Sequence, residues 1–126
     1  QKVRTNRKNS RSERMEIRVR MITITYDAMN GKPVADGKAF ILALMLAKLG
    51  STDIEEATSS SLLVDELRLL IKTGKIDYRA IVFKYTDIDD NEHIIRSDAD
   101  GRLNKWPKGF CDRRDEILEE LISWNV

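Results

Sequence analysis

Cysteine and histidine are almost absent from this chain, with one of each, Cys111 and His93. A lone thiol excludes an internal disulfide and any metal cage built from several cysteines, and it fits a reducing, cytoplasmic setting. One histidine, outside any recognisable nucleophile setting, leaves almost no material for a Ser-His-Asp or Cys-His triad. No apolar run approaches the roughly 20 residues that cross a bilayer. The longest, residues 39–47, falls well short and no signal peptide precedes it, so no membrane partner is expected. Aromatics make up 6% of the chain and are not interleaved with a basic patch, which argues against a base-stacking groove.

What is present describes a globular protein. The 126 residues are 41% hydrophobic and 34% charged, enough for one modest core under a highly charged surface. Because the first residue is Gln1, the chain reads as a processed form or a fragment of something longer. Net charge is +1 but unevenly placed. Residues 1–20 hold eight basic side chains (Lys2, Arg4, Arg7, Lys8, Arg11, Arg14, Arg18, Arg20) against Glu13 and Glu16, leaving fourteen basic and nineteen acidic groups elsewhere. A basic arm on a mildly acidic body can touch nucleic-acid phosphates, an anionic surface or an acidic partner; a loose, solvated terminus has the same composition.

Residues 1–14 show no periodicity and read as a basic flexible arm, with residues 15–126 as a single α+β domain. Residues 16–26 alternate and are β-branched, which predicts a strand, and Asn30-Gly31 before Pro33 predicts a reversal. Residues 39–49 are almost wholly apolar with Gly50 at the cap position, predicting a helix buried on all sides. Thr52 and Glu55 have capping-box spacing and predict a short turn. A second helix is expected over residues 62–73, striped by Leu63, Val64, Leu67, Leu70 and Ile71 and ended by Gly74. Strands are expected over residues 80–85 and 93–96, joined by an acidic turn. A last helix should begin near Asp112 as N-cap, with Asp115 and Glu116 in its first turn and Ile117, Leu118, Leu121 and Ile122 facing inward. The expected fold is α+β: a small, mostly antiparallel sheet with about three helices, one of them apolar and buried.

The candidate sites mostly fail on chemistry. Gly31 to Ala39 invites comparison with a phosphate loop, which needs Gly-x4-Gly-Lys-Ser/Thr so that backbone amides cradle phosphate and a hydroxyl holds magnesium. Here Gly31 and Gly37 are one residue too far apart, Ala39 replaces the hydroxyl and Asp36 puts a carboxylate where phosphate would sit. Asp87, Asp89, Asn91 and Asp98 follow some spacings of a calcium loop, but Glu92 stands where the central glycine is required. An acidic hairpin turn is the better reading.

Residues 98–112, Asp-Ala-Asp-Gly-Arg-Leu-Asn-Lys-Trp-Pro-Lys-Gly-Phe-Cys-Asp, carry the one distinctive motif. With Leu62 to Ile71, Gly74-Lys75-Ile76 and Ala80 to Tyr85, this tail resembles the C-terminal end of predicted bacterial P-loop ATPases. These are SMC-like and overcoming-lysogenization-defect (OLD) relatives found in anti-phage defence and nuclease operons. The likeness covers residues 58–122, about half the chain, and centres on Trp106, Pro107, Gly109, Phe110 and Asp112. The family's Glu-Thr-His-Ser switch would fall on Ala57-Thr58-Ser59-Ser60, where the phosphate-sensing His is replaced by Ser59. Its phosphate loop and its acidic strand end are missing as well.

The resemblance therefore implies a non-catalytic C-terminal module of, or derived from, such an ATPase, acting by protein contact in a bacterial defence or DNA-processing complex. No catalytic or metal-binding residue is assigned. No cofactor is expected on this chain; ATP and Mg would enter only with a segment that supplies their site. The expected partner is a protein or an ATPase core. Two other readings stay open: a small nucleic-acid-binding module using the arm, and a regulator docking on a larger enzyme through the acidic last helix.

Overall fold

The computed structural model describes residues 20–48 and 53–124. The arm with its six basic side chains (Lys2, Arg4, Arg7, Lys8, Arg11 and Arg14) lies outside the described residues, as do Arg18, Gly50 and Thr52. Alternating Ile and Thr make β1 (Ile22–Tyr26) a strand with one apolar face, and Ile22, Ile24 and Tyr26 are buried. Asn30-Gly31 reverses the chain as expected. Gly31 is required there because a Cβ would collide with the Thr58 carbonyl and the Asp27 oxygen. The loop then enters α1 (Asp36–Lys48), and β2 (Ile54–Thr58) follows.

α2 (Ser61–Lys72) is well delimited by its own sequence. The Ser60 hydroxyl accepts the Leu63 N–H at 3.0 Å, an N-cap bond. At the other end Lys75 N–H donates to Leu70 C=O at 2.9 Å and Gly74 N–H to Ile71 C=O at 3.0 Å, a Schellman closure. A short 3₁₀ turn over Tyr78–Ala80 leads into β3 (Ile81–Thr86), which pairs with β4 (Glu92–Ile95); α3 (Arg113–Trp124) ends the described chain.

Among the described residues the sheet has four strands in the order β2-β1-β3-β4 and is mixed, which corrects the mostly antiparallel expectation. β1 runs parallel to both β2 and β3, and only β3 and β4 are antiparallel. Parallel neighbours need a crossover, and α1 and α2 supply the two. Where Thr52 and Glu55 predict a short turn, Ile54–Thr58 is the edge strand that β1 pairs with. Its sequence, IEEAT, has little apolar signal because glutamates guard a sheet edge well.

One face of the sheet makes the core. Register sets Ile22 beside Ile81 and Ile24 beside Phe83, with Ile95 across from Phe83. Leu63, Val64, Leu67 and Ile71 of α2 and Ala43 and Leu46 of α1 close over them, so both helices belong to the same layer. The five apolar positions assigned to α2 from the sequence are all buried.

α1 departs from its expectation. Ala39, Ala43 and Leu46 are buried, whereas Phe40, Ile41 and Met45 are at least half exposed. In a two-layer domain a helix can bury only the stripe that meets the sheet and its neighbour, however apolar the rest is. Arg20 fixes the far end of α1, donating to the Leu46 and Ala47 carbonyls at 3.0 and 2.8 Å. Those carbonyls lie in the last described turn of α1, and a cation suits that end of the helix dipole.

Candidate functional site: the aromatic tail knot and the helix it launches

The carboxyl ends of β1 and β3 are marked by two tyrosines, Tyr26 and Tyr85, which are register partners on the core face. Phe110 sits against both. Its ring centroid is 5.6 Å from that of Tyr26, edge-on, and 5.7 Å from that of Tyr85, and Phe110 is fully buried. Trp106 meets the other side of Phe110 at 5.2 Å, and the Arg68 guanidinium from α2 lies 5.3 Å from the Trp106 ring centroid. Trp106 and Phe110 thus dock on the sheet end and on α2.

The backbone around Phe110 shows why the motif has these residues. Phe110 N–H donates to Pro107 C=O at 3.1 Å, closing a turn whose third residue, Gly109, has a φ of +91°. Type II turns need that conformation, and only glycine adopts it readily. A Cβ at Gly109 would also meet the Tyr85 hydroxyl, which donates to Lys108 C=O at 3.3 Å. The Asp112 carboxylate accepts the Gly109 N–H at 2.8 Å, while its carbonyl accepts the Glu116 N–H at 3.0 Å and so opens α3. The sequence-assigned Trp106, Pro107, Gly109, Phe110 and Asp112 thus form one local structure. Burial pushes the Tyr26 hydroxyl above its usual range, helped by the nearby Cys111 and Asp112.

The helix launched from this knot does not bury its apolar face. Ile117, Leu118, Leu121 and Ile122 are 41%, 44%, 52% and 66% exposed, which corrects their inward assignment. Phe110 already fills the end of the core, and Cys111, at a φ of +54°, redirects the chain after it. On the helical wheel the four apolar residues form a continuous stripe, flanked by Asp115 and Glu119 on one side and Glu120 on the other.

A second exposed apolar feature lies on α1. Lys32, Pro33, Val34 and Ala35 of the preceding loop, with Lys38, Ile41, Leu42 and Met45 of the helix, line a groove of about 460 Å³. Its floor is apolar and its two charged members are lysines. Sequence patterning missed it because residues 39–47 carry no polar face to mark which side would stay outside.

A cleft of about 540 Å³ opens between the loops that follow β1 and β3. Asp27 and Asp87 stand at the two strand ends, and their carboxylates are occupied by their own turns. Asp27 accepts the N–H groups of Met29 and Asn30 at 3.1 and 3.0 Å. Asp87 accepts those of Asp89 and Asn91, both at 2.9 Å, and lies 2.8 Å from His93 Nε2. The histidine bond, seconded by the Asn91 N–H, holds the Asp87 carboxyl down at about 2. Asp98 accepts from Asp100 and Arg102 in a separate turn. The acidic hairpin reading fits this arrangement, and no group of three metal-ligating side chains occurs among the described residues. Of the eight basic residues assigned to anion contact, Arg20 alone is described, and its guanidinium engages α1.

Comparison with protein-family models, with curated proteins and with solved structures finds no match to this chain.

Proposed function

We propose that this chain works by protein contact, as a C-terminal module of, or derived from, a P-loop ATPase acting in a bacterial defence or DNA-processing complex. The observation that carries the contact reading is the apolar stripe on α3. Four large aliphatic side chains on one helical face, each at least two-fifths exposed, form the kind of surface that marks an interaction site. The tail knot supports the reading because Phe110 and Asp112 anchor the start of that helix. The link to ATPases rests on the Trp-Pro-Lys-Gly-Phe motif and its surroundings in the sequence.

The groups that would hold a triphosphate argue the same way. Gly31 serves the approach of a loop to β2, and Lys38 N–H donates to Ala35 C=O at 2.8 Å in the first turn of α1. Purified chain mixed with MgATP should release no phosphate above buffer, with or without DNA. Robust turnover by the chain alone would overturn the proposal.

The charge of residues 1–20 favours a second reading, phosphate contact by the arm. Nucleic-acid affinity would then fall steeply with salt and collapse when residues 1–14 are deleted. Absence of binding at low salt would dismiss it.

A further inference from the structure

We infer that the α1 groove is the seat for the α3 helix of a second copy of this chain. This inference rests on the contact reading above and names its occupant. The groove is apolar along Val34, Ile41, Leu42 and Met45, and Lys32 and Lys38 stand at its edge. α3 offers the complement: an aliphatic stripe bordered by Asp115 and Glu119 on one side and Glu120 on the other. The two partners match in length as well. Twelve helical residues in α3 and thirteen in α1 correspond to about 18 and 20 Å.

Among the described residues, none of α3 lines the groove of its own chain. Each copy therefore carries one acidic apolar helix and one lysine-edged apolar groove, in equal number. Reciprocal exchange of the two satisfies both copies through a single two-fold operation and leaves neither surface open to further addition. The contact places helix ridges against the α1 ridge formed by Lys38, Ile41, Leu42 and Met45, spaced i, i+3, i+4 and i+7. Opposite charges at the rim set the register and make association sensitive to salt.

The test is sedimentation of the full chain over a concentration series. The wild type should form a dimer that weakens as salt rises. Ile122→Asp on α3 and Ile41→Asp on α1 both change exposed positions, and each should weaken the dimer about tenfold or more. Circular dichroism would establish that both variants fold. Mixing the two variants is decisive, because one contributes an intact helix and the other an intact groove. The mixture should regain a heterodimer held by one junction, which neither variant alone forms. A wild type that stays monomeric would overturn the inference, as would a dimer indifferent to both substitutions. Should a photocrosslinker at Ile122 then label a different protein, the contact reading survives without self-association. Labelling of no protein by that probe would remove both.

Discussion

Phe110 stands edge-on to Tyr26, their ring planes at 76° and their centroids 5.6 Å apart. The pair joins the tail to the central strand, so the motif at the end of the chain is part of the core and not an appendage. Replacing Phe110 with Ala should cost about 3–5 kcal/mol, as for other buried aromatics. Trp106→Ala should cost far less, since Trp106 is 45% exposed and contributes mainly its contacts with Phe110 and Arg68. Urea unfolding of the two variants checks the order; equal losses would contradict this placement of the rings.

Gly109 makes a sharper prediction. Gly109→Ala meets two penalties, a φ of +91° and contact with the Tyr85 hydroxyl. Together they should destabilise by at least about 1 kcal/mol. Tyr85→Phe removes only the second penalty, so the cost of Gly109→Ala should shrink in that background without vanishing. A double-mutant cycle with no coupling would show that the hydroxyl is not the obstacle.

Asp87 ties stability to acid pH. Its carboxyl is held at about 2, below the ordinary value of 3.8, first by His93 and then by the Asn91 N–H. A depressed acid stabilises the fold above its unfolded pKa and loses that contribution as pH falls through the folded value. Stability should therefore decline between about pH 4 and pH 2. Asp87→Asn should be less stable at neutral pH and show a shallower decline in that window. Asp27, Asp77 and Asp98 are also lowered, mainly by turn N–H groups or by Arg79, so the variant should flatten the profile only in part. Superimposable acid-unfolding curves for variant and wild type would contradict the assignment.

Cys111 should react slowly. Burial raises its thiol pKa strongly, and Asp65 and Asp112 add to the rise. Iodoacetamide at mildly alkaline pH should label the unfolded chain much faster than the folded one. Equal rates would place the thiol in solvent.

The legible part of this fold was the part written in local pattern. α2 shows its caps and stripe within a dozen residues, and the acidic turn before β4 shows its Asx chemistry in Asp87, Asp89 and Asn91. β2 was hidden because an edge strand needs only one apolar face, and Glu55 and Glu56 erase even that. The same limit applies to the helices. Apolar residues at Ile41, Met45, Ile117 and Ile122 predict burial, but nothing near them in sequence says whether a covering surface exists in the same molecule. The tail motif was visible as a motif, whereas Tyr26, Tyr85 and Arg68, which receive it, come from distant elements that carry no mark of their role.

On the proposed reading, the exposed stripe of α3 is the working surface of the chain. A photocrosslinking residue placed at Ile122, with Met29 as an exposed control away from the stripe, tests it in cells. A discrete protein adduct should form at position 122, absent from the control and abolished by Leu118→Asp. Identical, diffuse labelling at both positions would contradict it.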